Sequence, residues 1–272
     1  MVDLGIKPAN KRKLLKTINH DNCYIDWIEA SECKILQDKL NLLKRKFKNI
    51  KITPHYYRLF LPYLVPNLFD KVIYLDCDLI INQDISKLWE IDLENNYLLA
   101  VQDMYIPYVS SYAGIKNFED LGVSAKAKYF NTGVLVINLR EWRNENVCEK
   151  VFEYTFKNAS NLNNYEQEGL NAVAVEKWKE IDPRWNQQIS IYSYSSYKDS
   201  PFTENTYKEI INDPYIIHLS GVVKPWTSAR EQPATDLFFK YLDMTQWSGW
   251  RFSKLKLLRQ KLKYLLNKFI KI

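Results

Sequence analysis

The sequence predicts an α/β domain with a mostly parallel sheet that is covered by helices on both faces. Three observations support this fold class. Apolar runs rich in β-branched residues recur at residues 72–75, 98–101 and 134–139, as in buried parallel strands. Segments with helical periodicity lie between or after these runs. With 272 residues, of which 46% are hydrophobic, the chain is long enough to bury a complete α/β core.

The elements can be assigned in order along the chain. Residues 8–19 and 31–47 are rich in Lys and Leu and are predicted to be helices, with a short strand at 23–28 between them. An aromatic helix is predicted at residues 55–64, just before the strand at 72–75. The later elements are predicted as helices at residues 140–157 and 166–177, a polar aromatic loop at 192–197 and a strand at 215–219.

Composition narrows the partners and the location. The net charge is +6, but residues 247–272 contain eight Lys or Arg and no acid, so the rest of the chain carries −2. We therefore expect no nucleic-acid partner, because enzymes that bind nucleic acid carry a basic stripe on the folded domain. The four cysteines show no CxxC spacing, which favours a reducing, cytoplasmic location over a zinc cluster or a disulfide framework. No run of 18 apolar residues occurs, so membrane contact is expected to be peripheral.

The C-terminal stretch, residues 246–272, is predicted to be a basic amphipathic helix that follows a domain at residues 1–245. Its apolar positions are spaced alternately by three and four from Leu255 onward, with Lys and Arg elsewhere. Together with Trp247 and Trp250, this pattern is typical of attachment to an anionic membrane surface, here the inner face of the cytoplasmic membrane. A coiled-coil or oligomer seam has the same stripe and is the alternative.

Two carboxylates follow the strand predicted at residues 72–75. Asp76 and Asp78 are two residues apart, and in an extended segment their side chains point the same way. In α/β proteins this edge of the sheet is where ligands bind. Hard oxygen ligands suit Mg²⁺ or Mn²⁺ better than zinc. A DxD pair is a weak signal by itself, and a solvated strand end is the alternative interpretation.

Four further motifs accompany this pair in the sequence. They are residues 56–62 (YYRLFLP), 129–134 (YFNTGV), 165–168 (YEQE) and 218–226 (HLSGVVKPW). In this order and at these spacings, the set resembles glycosyltransferase family 8, the retaining galactosyl- and glucosyltransferases, over about residues 1–245. The resemblance implies a Rossmann-like nucleotide-sugar transferase fold of GT-A type. It also implies retaining transfer of galactose or glucose from a UDP-sugar to a lipopolysaccharide or another cell-envelope glycan.

The resemblance implies a role for each matched residue. Asp76, Asp78 and His218 would ligate Mn²⁺, or Mg²⁺, which also binds the diphosphate of the donor. A divalent cation stabilises the charge that builds on this leaving group. Gly221 and Lys224 would contact the diphosphate through close backbone approach and a point charge. Taken alone, a histidine such as His218 is more often structural.

The implied donor-sugar site is formed by Arg58, Asn131, Thr132, Glu166 and Gln167. Gln167 would lie beneath the anomeric carbon, where an amide can orient the reacting centre but is a poor nucleophile. The resemblance therefore favours a front-face retaining path over a covalent glycosyl-enzyme. Asp103 resembles, more weakly, a catalytic position on the acceptor side. Taken alone, Arg58 reads as a surface ion pair and Asn131 as a turn residue.

Two departures from the family pattern leave other functions open. No segment of this sequence matches the family's first strand and helix, so the catalytic domain is expected to be N-terminally incomplete, and Glu166 stands where aspartate is common. An inactive or partner-dependent glycosyltransferase remnant is therefore the main alternative. A DxD phosphatase of the haloacid dehalogenase type is another, but residues 79–81 are Leu-Ile-Ile where that group has small residues.

Overall fold

The computed structural model describes residues 1–18, 23–46, 53–160, 162, 165–228, 232–253, 255 and 258. The chain forms two compact units. The first unit comprises Met1–Gly5 and Ile25–His218, and the second comprises Ile6–Tyr24 and Leu219–Ile272. The domain boundary at residue 245 stays a prediction, and most of the helix predicted at 246–272 lies outside the described residues. Within the described part of the chain, no helix is both long and apolar enough to cross a membrane.

The strands among the described residues all belong to the first unit. They are β1 (Val2–Asp3), β2 (Ile28–Glu29), β3 (Lys71–Leu75), β4 (Leu79–Ile81), β5 (Leu98–Gln102), β6 (Phe130–Asn138), β7 (Trp178–Glu180), β8 (Gln187–Gln188) and β9 (Ile216–His218). The helices of the first unit are α2 (Lys34–Lys46), α3 (Leu61–Leu64), α4 (Ser86–Trp89), α5 (Leu139–Asn144), α6 (Val147–Lys157), α7 (Tyr165–Val173) and α8 (Glu204–Asn212). The second unit contains α1 (Pro8–Thr17) and α9 (Thr235–Asp243). Short 3-10 helices span Pro54–Phe60, Pro183–Asn186, Ile189–Ser193 and Tyr197–Asp199.

The sheets mix parallel and antiparallel strands. The described strands form sheets in the orders β3-β6-β5-β7, β4-β9-β8 and β1-β2. Strand β6 runs antiparallel to both β3 and β5, whereas β7 is parallel to β5. The α/β class is therefore confirmed, but the expectation of a mostly parallel sheet is wrong. The expectation is wrong because β6 is buried almost throughout. Burial on both faces produces an apolar run whether a strand is parallel or antiparallel to its neighbours.

Several predicted elements differ from those observed in their bounds. The predicted helix at residues 140–157 is two helices, α5 and α6, because Asn146 between them adopts a left-handed conformation with φ of 52°. Of the strand predicted at 23–28, only Ile28 lies in a strand, as the first of the two residues of β2. The aromatic helix predicted at 55–64 is a 3-10 helix followed by α3. All four cysteines are free thiols in this structure.

The sheet that contains β6 has an apolar layer on each face. Phe130, Leu135 and Ile137 pack in the layer that includes α2 and α6, whereas Val134 and Val136 pack in the opposite layer. A regular strand would place Phe130 on the same face as Val134, because successive side chains alternate. The strand must therefore contain an irregularity between these two residues.

This irregularity is a bulge of β6 against β5. Leu99 pairs with Val136, but Val101 pairs with Asn131, so β6 has additional residues in between. A bulge interrupts regular pairing and re-aims the side chains of the bulged strand. On the other side of β6, the Asp76 amide donates to the Gly133 carbonyl over 2.8 Å. The bulge therefore lies directly beside the start of the Asp76–Asp78 segment.

Candidate active site

Asp76, Asp78 and His218 form one cluster. Asp76 follows the last residue of β3, and Asp78 precedes the first residue of β4. Strand β9 ends at His218, which pairs with Leu79 of β4, so the register places His218 beside Asp78. His218 Nε2 lies 3.4 Å from Asp78 Oδ1 and 3.9 Å from Asp76 Oδ2. Residues more than 130 positions apart in the sequence thus lie together where β3 ends and β4 begins.

This cluster has the geometry and the donor atoms of a divalent metal site. One ligand atom from each of the three residues lies within 4.8 Å of the other two. The His218 side chain is 6% exposed, whereas those of Asp76 and Asp78 are 23% and 20% exposed. Two carboxylates and one imidazole are ligands that Mn²⁺ and Mg²⁺ accept, and the partial exposure leaves room for further oxygen ligands. The residues present therefore fit a resident divalent cation.

Arg58 is a buried cation that organises Asp76. Its guanidinium is 2% exposed and donates to Asp76 Oδ1 over 3.1 Å, to the His55 carbonyl over 3.0 Å and to the Thr132 carbonyl. It also lies over the Tyr74 ring, 4.7 Å from the centroid. The surface ion pair that the residue type alone suggests is therefore wrong for Arg58. Because Oδ1 of Asp76 is engaged by Arg58, its Oδ2 is the oxygen that lies towards His218.

Glu166 and Tyr74 complete the surroundings of Arg58. Glu166 Oε1 lies 3.8 Å from Arg58 Nη2, and the Tyr74 hydroxyl donates to Asp76 Oδ1 over 2.6 Å. Burial raises the pKa of Glu166 above its ordinary value, although the Arg58 charge acts in the opposite direction. Burial likewise raises the pKa of Tyr74. At neutral pH Tyr74 is therefore a hydrogen-bond donor to Asp76 rather than a phenolate.

A second network lies around Asp103. Its Oδ1 accepts hydrogen bonds from the amides of Tyr105 and Ile106, both over 2.8 Å. Its Oδ2 accepts from Asn131 Nδ2 over 3.0 Å and from Gln167 Nε2 over 3.2 Å. These contacts fix the Asp103 carboxylate, which is 3% exposed. Asp103 thereby holds two of the predicted sugar-binding amides in place.

Gln167 links this network to Arg58. Its Oε1 accepts from both the amide and the hydroxyl of Thr132, each over 3.1 Å. The Thr132 carbonyl in turn accepts from Arg58. Hydrogen bonds therefore run continuously from Asp76 through Arg58, Thr132 and Gln167 to Asp103. Of the predicted site residues, those in the first unit are all brought together by this network and the metal-ligand cluster.

Gly221 and Lys224 belong to the second unit. Gly221 has a φ of 92°, in the left-handed region that glycine adopts at no steric cost. The Lys224 ammonium donates to the Leu219 carbonyl, and its backbone amide donates to Thr227 Oγ1 over 3.1 Å. These contacts define a tight turn in the HLSGVVKPW segment. The role of both residues towards a diphosphate stays a prediction.

Asn186 is a site residue that the sequence did not reveal. It is fully buried at the end of a 3-10 helix, and its amide contacts both Asn131 and His218. An asparagine in the segment DPRWNQQ reads as a turn residue, and no periodicity distinguishes it. Its position is set by the parallel pairing of β8 with β9, which a single sequence does not display.

Sequence comparison assigns most of the chain to one family. A profile described as "Glycosyl transferase family 8" matches residues 1–230. General stress protein A of Bacillus subtilis is 31% identical over 253 residues, which are 91% of this chain and 82% of that protein. Lipopolysaccharide 1,2-glucosyltransferase of Escherichia coli is 28% identical over 202 residues, 73% of this chain and 57% of that protein. The chain spans between 20% and 53% of the length of five glycosyltransferases of Streptococcus pneumoniae that it also matches.

Structural comparison agrees with the sequence. The galactosyltransferase LgtC, solved in complex with donor and acceptor sugar analogs, superposes with a TM-score of 0.69 at 23% identity. The match covers 90% of this chain and 84% of that chain. At this identity the likeness shows the fold alone. The chain has the α/β fold of GT-A type glycosyltransferases.

Proposed function

The chain belongs to glycosyl transferase family 8, and on this premise we propose that it transfers galactose or glucose from a UDP-sugar to a glycan acceptor with retention of configuration. Membership of this family supports hexosyl transfer as the general reaction. The observation that carries the specific proposal is the cluster of Asp76, Asp78 and His218 beside the buried network from Arg58 to Asp103. Such a site combines a place for a diphosphate-bound cation with fixed polar groups for a sugar.

The acidic cluster is proposed to serve the diphosphate end of the donor. A divalent ion held by Asp76, Asp78 and His218, Mn²⁺ or Mg²⁺, would stabilise the negative charge that develops on the departing diphosphate. Arg58 and Tyr74 hold Asp76 by its Oδ1, so that its Oδ2 stays turned towards His218. Gly221 and Lys224 are proposed diphosphate contacts on the strength of their motif alone.

The amide groups are proposed to serve the hexose. Asn131, Thr132, Glu166 and Arg58 offer hydrogen-bonding groups near the bulge of β6, and polar fixation of hydroxyls is how sugars are discriminated. Gln167 has its oxygen engaged by Thr132 and its nitrogen by Asp103. A neutral amide held at both ends is suited to orient the anomeric carbon and unsuited to attack it. We therefore favour front-face transfer, in which the departing phosphate accepts the acceptor proton.

The acceptor is proposed to be a lipopolysaccharide or another cell-envelope glycan. This proposal is supported by the relative from Escherichia coli, whose name specifies lipopolysaccharide 1,2-glucosyl transfer. The basic stretch at residues 247–272 would then hold the enzyme peripherally at the anionic inner face of the cytoplasmic membrane. Asp103, at the carboxyl end of β5, is the residue we assign to the acceptor side of the site.

Donor hydrolysis tests the proposal without knowledge of the acceptor. The full chain is incubated with UDP-galactose or UDP-glucose and Mn²⁺, and free UDP is measured. We expect release that excess chelator abolishes and that Asp78→Asn reduces by about two orders of magnitude or more, in line with the loss of a charge-stabilising group. Asp84→Asn is the matched control, because Asp84 is exposed and its carboxylate accepts a hydrogen bond from the Ser86 amide at the start of α4, which an asparagine oxygen can also accept.

The alternatives give different results in the same assay. Binding of UDP-sugar and Mn²⁺ without UDP release, even with added glycans, would indicate a remnant or a partner-dependent subunit. Release of phosphate from simple phosphomonoesters that depends on Asp76 would indicate a phosphatase. Undiminished UDP release in excess chelator would contradict the assigned metal role.

A further inference from the structure

Three buried side chains form a row behind the candidate metal ligands. Asn131 Oδ1 lies 2.9 Å from Asn186 Nδ2, and Asn186 Oδ1 lies 3.0 Å from His218 Nδ1. Asn186 is 0% exposed, His218 5% and Asn131 9%. The row joins a residue of the β6 bulge to the last residue of β9.

The polarity of this row is determined at its Asn131 end. The backbone amide of Gly133, which can only donate, lies 2.9 Å from Asn131 Oδ1. The carboxylate of Asp103, an acceptor, lies 3.0 Å from Asn131 Nδ2. Both ends of the Asn131 side chain therefore have one allowed orientation, with its oxygen towards Gly133 and Asn186.

The orientation of Asn131 passes to Asn186 and then to His218. Because Asn131 presents an oxygen, Asn186 must present its NH₂ group, and its own oxygen then faces His218 Nδ1. An oxygen at this distance requires Nδ1 to be the donor. A neutral imidazole has one N–H, so the lone pair is on Nε2. Nε2 is the nitrogen that faces Asp76 and Asp78.

We propose that Asn186 is a positioning residue, which holds His218 in the Nδ1–H tautomer and so directs the Nε2 lone pair into the Asp76–Asp78 cluster. The opposite tautomer would direct an N–H into the Asp76–Asp78 cluster. A protonated nitrogen has no lone pair with which to bind a metal. Groups that fix the tautomer of a ligating histidine commonly change metal affinity by about 10–100-fold. The inference rests on the proposed metal role of His218, but the tautomer itself is a property of the metal-free protein.

The tautomer is read by NMR of the metal-free full chain with ¹⁵N-labelled histidine. The sequence has only three histidines, so a His218→Gln variant assigns the His218 signals. At a pH where the His218 ring is neutral, we expect a protonated Nδ1 and an unprotonated Nε2 in the wild type. In Asn186→Ala this preference should be lost, and Mn²⁺ affinity, followed by electron paramagnetic resonance, should fall by about 10–100-fold.

Two further variants separate positioning from general damage. Asn186→Asp loses the NH₂ group that donates to Asn131 Oδ1 but keeps an oxygen towards His218 Nδ1, so it should keep Nδ1 protonated and bind Mn²⁺ better than Asn186→Ala. Asn171→Ala removes an equally buried amide that binds only the Phe130 backbone and the Gln167 carbonyl. It should cost stability while the His218 tautomer remains that of the wild type. If Asn186→Ala does not fold, the comparison of Asn186→Asp with the wild type carries the test.

The outcomes distinguish this inference from the proposed function. An unchanged tautomer in Asn186→Ala, or loss of the Nδ1–H form in Asn186→Asp, would overturn the positioning role. A changed tautomer with unchanged Mn²⁺ affinity would overturn its link to the metal. A wild-type protein with the expected tautomer but no Mn²⁺ binding would contradict the metal function and leave the positioning role standing.

Discussion

A Cβ atom added to Gly133 would lie 2.2 Å from Cε1 of His218 and 2.7 Å from its Nδ1. Both distances are far inside van der Waals contact, so the His218 ring occupies the space that any other residue at position 133 would fill. The absence of a side chain in the β6 bulge is thus a condition for the position of the imidazole. Glycine is used in this way where another group approaches the backbone closely.

We predict that Gly133→Ala displaces the His218 ring and weakens Mn²⁺ binding by about tenfold or more, the size of other changes around metal ligands. Overpacking should also cost about 1–3 kcal/mol of stability. Gly114→Ala is the matched control, since its Cβ would lie 2.3 Å from the Val109 carbonyl oxygen, away from the metal ligands. Calorimetric titration with Mn²⁺ measures the affinity. Equal affinities of the two variants would show that the ring is not confined by Gly133.

We predict that Arg58→Met destabilises the protein by about 3–5 kcal/mol, because it leaves the carboxylates of Asp76 and Glu166 without their buried counter-charge. Urea denaturation in chelator measures the change. Arg140→Met is the control: Arg140 pairs with Asp70 at the surface, where the side chains are 65% and 51% exposed. Exposed pairs contribute about 0–1 kcal/mol. A loss for Arg58→Met no larger than that of the control would refute the assignment.

We predict that the stabilising effect of Glu149 disappears in acid. Burial raises the pKa of Glu149, but hydrogen bonds from Lys39 and Tyr63, over 2.9 Å and 2.7 Å, outweigh it and hold the pKa below its ordinary value of 4.5. The folded state therefore binds this proton less readily than the unfolded state. The contribution is complete above pH 4.5 and is lost as the pH falls through the folded-state pKa.

The comparison of Glu149→Gln with the wild type measures this contribution. The difference in free energy of unfolding between the two proteins should be constant near neutral pH and shrink as the pH falls below about 4.5. The glutamine cannot titrate, so the Glu149 contribution is absent from the variant. The other carboxylates are present in both proteins, and their contributions cancel in the difference. A difference that does not change from neutral pH into the acid range would contradict the prediction.

We predict that truncation after Ser253 releases the protein from anionic vesicles but preserves donor hydrolysis. The truncation removes seven of the eight basic residues of 247–272, each of which contributes about 1 kcal/mol near an anionic surface. It retains Trp247, which Lys13 contacts at 5.2 Å, and Arg251, which pairs with Asp243 at 2.7 Å, so these two contacts within the second unit are preserved. Vesicle co-sedimentation measures binding.

Salt and light scattering separate the anchor from an oligomer seam. Binding of the full chain to anionic vesicles should fall as salt rises, since the screening length shortens from about 8 Å at physiological salt to about 3 Å at 1 M. Neutral vesicles are the control. If the segment instead pairs protomers, truncation should halve the mass in solution and lipid should not bind at any salt concentration.

The sequence by itself determined the α/β class and the Asp76–Asp78 pair, because both depend on local information. Apolar runs report burial, and two carboxylates two residues apart remain neighbours in any extended segment. The match of His218 and Gln167 to family motifs also needed no coordinates. The structure places the predicted site residues other than Gly221 and Lys224 in one region of the first unit.

Only the tertiary structure decided the strand directions, the burial of Arg58 and the place of Asn186. Strand β6 is antiparallel to its neighbours, yet an apolar run has the same appearance in either direction. From its residue type alone Arg58 is expected at the surface. In the structure its guanidinium is buried and donates to the Thr132 carbonyl and to Asp76. Asn186 reaches His218 through a pairing of β8 with β9 across 30 residues or more. Hydrophobic periodicity indicates how far a segment is buried but not which distant segment it contacts. The chemistry of this site depends on those long-range contacts.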